Sequence, residues 1–224
     1  MTKEQLVKAL EEGDYKNLAN AADEYKNDAE IIKAAIINGK WSAIEYAGDQ
    51  IKSNRNLILE FLELDVENIG LILEYLPDTY RDDKEMILAA LKGISPNLVG
   101  GPLELASDSL KNDKEVVLQA VILNGSHLEH ASSKLKNDRD VVQAALESNA
   151  WSIEFAGPEM KNDKSIMLEA IKNDSYSIKY ASDDLKNDED IILAVADDDA
   201  DLALEFVGEN LKKNKEFMEK LESM

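Results

Sequence analysis

Lys136-Asn137-Asp138-Arg139-Asp140-Val141-Val142-Gln143-Ala144-Ala145-Leu146, followed by Trp151, Ile153, Phe155 and Ala156 and then by Lys161-Asn162-Asp163, is the stretch whose reading decides the fold. The Lys-Asn-Asp triplet stands at 26 to 28, 111 to 113, 136 to 138, 161 to 163 and 186 to 188, the last four copies 25 residues apart. Degenerate copies are Ser53-Asn54-Arg55, Arg81-Asp82-Asp83 and Lys213-Asn214-Lys215. Self-similarity at one short period over a whole chain is the mark of a repeat architecture.

With the central Asn or Asp of each triplet as origin, apolar or small residues fall four, five, eight and nine positions later. They are Ile31, Ile32, Ala35 and Ile36 in one copy, and Val141, Val142, Ala145 and Leu146 in another. That stripe belongs to an amphipathic helix and not to a strand. Asn27 with Glu30, Asp82 with Glu85, and Asn112 with Glu115 have capping-box spacing, so the triplet reads as the helix N-cap. The helix is expected to end near Asn38-Gly39, Asn124-Gly125, Ser148-Asn149 or Asn173-Asp174, residues suited to a left-handed turn and to capping the next element.

A second, shorter pattern comes next: Ile44-Glu45-Tyr46-Ala47, Leu128-Glu129-His130-Ala131, Ile153-Glu154-Phe155-Ala156, Ile178-Lys179-Tyr180-Ala181 and Leu204-Glu205-Phe206-Val207. Five residues after the aromatic stands another anchor, as at Leu135, Met160, Leu185 and Leu211. This predicts a second helix of roughly two turns. Helices this short are marginal alone, so the copies are expected to stack. The prediction is an all-α fold, one α-solenoid domain over 1–224 built from about eight helix-turn-helix repeats of roughly 25 residues. Regular copies run from about 107 to 212, with caps near 2–12 and 214–223. Thr2-Lys3-Glu4-Gln5 reads as a capping box.

The copies between about 54 and 106 are irregular. Glu63 takes a normally apolar column, Pro77 follows the second helix, and Gly93-Ile94-Ser95-Pro96 with Gly100-Gly101-Pro102 lengthens a loop. Drift within the array, a bend in the stack and a partner contact all account for this.

The residues resemble a family of bacterial, protist and viral repeats known as domain of unknown function 4116. Its pattern runs Leu-Lys-Asn-Asp, an apolar helix, then an aromatic segment ending Tyr-Ala-Ser. Leu135-Lys136-Asn137-Asp138 through Leu146, with Trp151, Ile153, Phe155 and Ala156, is similar to it, as are Tyr180-Ala181-Ser182 and Leu185-Lys186-Asn187-Asp188. The resemblance covers 107–192 best and implies a repeat fold without an activity.

Composition narrows the function. The chain has 46 acidic and 25 basic side chains, a formal charge of −21, yet is 44% hydrophobic. The acid therefore decorates a folded body and is not a disordered tail. Such a surface repels nucleic acid and anionic membranes and attracts basic partners. There is no cysteine, hence no disulfide framework or thiolate site. The start, Met1-Thr2-Lys3-Glu4-Gln5-Leu6, is not a signal peptide, and no run is long enough to span a bilayer, so a soluble cytoplasmic chain is expected.

Several polar and aromatic residues admit two readings. His127 and His130 have a spacing open to a metal, but His130 takes the column of Tyr46, Phe155, Tyr180 and Phe206, which favours packing. Asp197, Asp198, Asp199 and Asp201 lack the Gly and Glu of a calcium loop; they read as capping and solvated charge, or as a docking point for a basic partner. Trp41, Trp151 and Tyr176, at or near the start of the second helix, are candidate contact residues as well as candidate packing between neighbours. The triplet lysines Lys111, Lys136, Lys161 and Lys186 are expected to lie over neighbouring acids, moderating self-repulsion.

With no nucleophile beside a base and no phosphate-binding loop, no catalytic residue, metal or cofactor is expected, and the chain reads as not an enzyme. The expectation is a non-catalytic scaffold that binds another protein, with no direct nucleic acid or membrane partner. Two alternatives stand beside it. One is an acidic mimic of nucleic acid that blocks a basic nucleic-acid-binding protein; the other is an enzyme with its site between 54 and 106.

Overall fold

The computed structural model describes residues 2–98 and 100–224, and every regular element among them is helical. The chain divides into two compact units, 1–110 and 111–224.

In 111–224 the long helices are Lys114–Leu123, Arg139–Ser148, Lys164–Asn173, Glu189–Ala196 and Lys215–Glu222. The first four pack each upon the next in sequence. Their buried stripe is the expected one: Val141, Val142, Ala145 and Leu146 in one helix, and Ile166, Met167, Ala170 and Ile171 in the next. Each large aliphatic so buried contributes about 1.5–3 kcal/mol. In 1–110 the long helices are Lys3–Glu11, Ala29–Asn38, Arg55–Leu62 and Lys84–Lys92. The Thr2 side chain and Gln5 form the reciprocal capping box of the first.

The central residue caps as expected at Asn54 and Asn214, but in the Lys-Asn-Asp copies the N-cap is one residue later. It is Asp28, Asp113, Asp138, Asp163 or Asp188, not the central Asn; each carboxylate accepts the backbone N–H groups two and three residues on. Asn54, Asp83 and Asn214 fill the same role in the degenerate copies. The true column therefore aligns Asn54 with Asp28, which moves Glu63 out of the apolar stripe. Glu63 is exposed at the C-cap, level with the exposed Ile37 and Ile122.

The central Asn instead clamps the next copy. Asn27 Oδ1 accepts the N–H of Gln50 at 3.2 Å, Asn137 that of Glu159 at 3.1 Å, and Asn187 that of Asn210 at 2.9 Å. At alternate joints a serine hydroxyl donates to it: Ser132 to Asn112 at 2.7 Å and Ser182 to Asn162. A backbone latch lies beside each clamp. In 111–224 it runs from Ser132, Gly157, Ser182 and Gly208 N–H to the Lys111, Lys136, Lys161 and Lys186 carbonyls. In 1–110 it runs from Gly48 to Lys26 and from Ser107 to Arg81. Glycine is required where Asn bonds backbone, because a Cβ at Gly157 would lie 2.0 Å from Asn137 Oδ1.

The second element is not a two-turn α-helix. It is a six-residue 3-10 helix, as at Trp41–Tyr46, Gly125–His130, Ala150–Phe155 and Ser175–Tyr180. Asn124, Asn149 and Asp174 cap it from extended backbone, so the expected left-handed turn does not form there. Among the described residues, positive φ angles occur instead at Gly13, Asn68, Gly100 and Gly101. Pro102–Leu105 and Ala200–Phe206 are α-helices instead, the latter burying Leu202 and Ala203 and leaving Leu204 half-buried. A third element, one turn such as Asp49–Lys52 or Asp183–Lys186, carries the anchor Ile51 or Leu185 and ends on the triplet lysine or its counterpart.

Candidate interaction face

The lysine or arginine just after the N-cap reaches the next copy at Lys3, Arg55, Lys114, Arg139 and Lys164. Lys114 Nζ lies 2.8 Å from Asp138 and 2.6 Å from Asp140, and Lys164 lies at the same distances from Asp188 and Asp190. Arg139 pairs with Asp163, Arg55 with Asp83 and Glu85, and Lys3 with Asp28. Burial pushes the Asp138 carboxyl up, but the Lys114 ammonium and the Val141 N–H outweigh it and hold it below the ordinary carboxylate range. Lys3 likewise holds Asp28 down, and Arg55 holds Asp83 down.

Two of the triplet lysines are seen on backbone carbonyls and rings. Lys161 Nζ donates to the Glu154 carbonyl at 2.7 Å, seven residues back, and stands 5.7 Å from the Tyr180 ring. Lys186 bonds the Lys179 carbonyl and faces the Phe206 ring at 5.7 Å. Desolvation lowers the Lys161 pKa. These lysines cap the C-terminal carbonyls of the 3-10 helices, a favourable place for a cation.

Trp151 and Tyr176 come together. They are 47% and 44% exposed, and both rings flank Lys179, whose Nζ is 5.5 Å from Trp151, 5.8 Å from Tyr176 and 4.5 Å from Tyr180. Tyr176 also meets Phe206 edge-on at 6.4 Å. The Tyr180 hydroxyl beside Lys179 raises its pKa. An ammonium over aromatic faces is held by the ring quadrupoles. Sequence reasoning named the two rings and missed the lysine between them. The signal was there: the column reads Ala19, Glu45, Glu74, Glu104, Glu129, Glu154 and Glu205, with Lys179 as its cation.

Trp41 belongs to the other unit. It is half-buried, 6.1 Å from Tyr75, near a second contact between Tyr15 and Tyr46 at 6.3 Å. Of the acidic group, Asp199 caps Ala200–Phe206 by accepting the Leu202 N–H at 2.9 Å, and Asp198 accepts the Ser175 hydroxyl at 2.7 Å. Asp197 and Asp201 are exposed. His127 is the buried histidine, with Nδ1 2.9 Å from the Ala120 carbonyl oxygen. Ser152 fills the matching place, donating to the Ala145 carbonyl at 3.3 Å. His130 is half-buried in the aromatic column.

The family model described as Domain of unknown function (DUF4116) matches residues 113–161 and 163–201. This match agrees with the resemblance read from the sequence. The DUF4116 matches hold the N-caps Asp113 to Asp188, the Lys114 and Lys164 bridges, and the Trp151–Tyr176–Lys179 cluster. No curated protein and no solved structure matches the chain. No helix among the described residues is long and apolar enough to cross a membrane.

Proposed function

We propose that the chain is a non-catalytic α-solenoid of about eight repeats that binds another protein through the aromatic face of its 3-10 helices. The packing of each long helix of 111–224 on its successor supports the stacked reading. The observation that carries the binding role is the pair Trp151 and Tyr176, large rings left nearly half-exposed around Lys179. Rigid amphipathic rings of this kind dominate the energetics of protein interfaces. The polar residues that recur most are committed to folding: Asp caps, Asn clamps and the lysine after the cap bridges.

Affinity purification from the source organism, washed at low and at high salt, tests the proposal. Recovery of a protein partner at both salts is expected, because an apolar ring contact is weakly screened. A partner that binds nucleic acid and leaves at high salt would favour the acidic-mimic reading. Recovery of no protein would count against both.

A further inference from the structure

The joint between the long helices Arg55–Leu62 and Lys84–Lys92 differs from the others. Its latch position is Pro77, which has no N–H to give the Lys52 carbonyl, and Ser53 stands where other joints place Asn or Asp. The Ser53 hydroxyl turns back to its own helix, bonding the Asp49 carbonyl at 2.6 Å. Close by, the Tyr80 hydroxyl and Arg81 Nε are buried with no hydrogen-bond partner. Arg55 spans this seam to Asp83 and Glu85.

Two open grooves lie along the same pair of helices. One of about 600 Å³ is lined by Glu63, Leu64, Asp65, Val66, Glu67 and Ile94 among others; one of about 500 Å³ is lined by Leu59, Leu88 and Ala89 with Glu85. They share Glu63, Ala89 and Lys92, so they run together. Leu59, Leu64, Val66, Leu88 and Ala89 are half-buried, whereas Glu63, Asp65 and Glu67 are exposed. The groove thus has an apolar floor, and on its rim Glu63, Asp65, Glu67 and Glu85 outnumber Lys84 and Lys92.

We propose that the groove along this pair of helices receives an amphipathic basic segment of a partner protein, its apolar side on Leu59 and Leu88 and its cations at Glu63, Asp65 and Glu67. The proposal rests on the protein-binding reading and locates a second contact for it. Apolar anchors laid into a groove are a standard mode of helix recognition. The rim selects a basic partner, as charge complementarity requires.

The test uses the full chain and a labelled synthetic helical peptide made only of leucine and lysine, followed by fluorescence anisotropy at about 0.15 M salt. Leu88→Gln is expected to weaken binding about ten-fold. Glu63→Gln with Glu67→Gln, both exposed and harmless to folding, should weaken it about three-fold, equivalent to the loss of screened surface contacts. The charge-matched pair Glu219→Gln with Glu222→Gln should leave it nearly unchanged. Equal weakening by the control pair would overturn the proposal, since binding would then follow the net charge alone. So would absence of saturable binding, or a wild-type dimer in sedimentation that Leu88→Gln dissolves, which would give the groove to a second copy. If Leu88→Gln still recovers the cellular partner while these results go against the groove, the protein-binding reading stands; if no partner is recovered by any form, that reading fails too.

Discussion

At the scale of the residue, adjacent positions of one triplet do different work. Asp138 caps its own helix and takes a bridge from Lys114, while Asn137 reaches forward to the next copy. Asp138→Ala loses the cap and should cost about 1 kcal/mol, read from urea unfolding. Asp138→Asn keeps the cap and should cost less. The native Asp138 carboxyl is held below its ordinary range, so its contribution is complete above that range and is lost as pH falls through the depressed value. Asp138→Asn cannot titrate and should flatten the acid side of the stability profile. Gly157 gives a sharper test. Gly157→Ala sets a Cβ against Asn137 and should cost more than Gly157→Ser, whose hydroxyl can donate to Asn137 as Ser182 does to Asn162. Equal losses in Tm would show that the clamp is not the constraint. The sequence alone could not place the cap, because Asn and Asp are equally good N-caps and stand side by side.

At the scale of the element, the long helices were legible and the short ones were not. A stripe such as Val141, Val142, Ala145 and Leu146 specifies a face with period 3.6 over ten residues. Over the six residues Ala150–Phe155, a 3-10 helix and an α-helix diverge by only about one residue's rotation, so the pattern fits both. What decides is the closure, with Ala156 N–H on the Ile153 carbonyl, and the extended Asn149 that caps the element. The Trp151 and Tyr176 column was visible, yet its packing depends on Lys179, three residues from Tyr176 and on the same 3-10 helix. The unlatched joint makes a prediction of its own. Ser53→Asn with Pro77→Ser rebuilds the clamp and latch of Asn162 with Ser182, and two hydrogen bonds set against the freer unfolded chain should add about 1 kcal/mol. An unchanged urea midpoint would mean that the seam is held open by other contacts.

At the scale of the whole molecule, charge and repeat interact. The bridges between copies are partly exposed and screened, whereas the formal charge of −21 acts on every residue. Self-repulsion should win, so Tm is expected to rise as salt increases from about 0.02 to 0.5 M, over which the Debye length falls well below 10 Å. A fall would assign the larger share to the bridges. The residues that repeat cap, clamp and bridge neighbouring copies, and Lys179, which breaks the repeat, marks where a partner is expected. The most direct test of that account is titration calorimetry of the purified cellular partner against wild type and Trp151→Ala with Tyr176→Ala. The account predicts an affinity loss of at least about ten-fold, more than about 1.4 kcal/mol, with Tm within a few degrees of wild type. Unchanged affinity would contradict it.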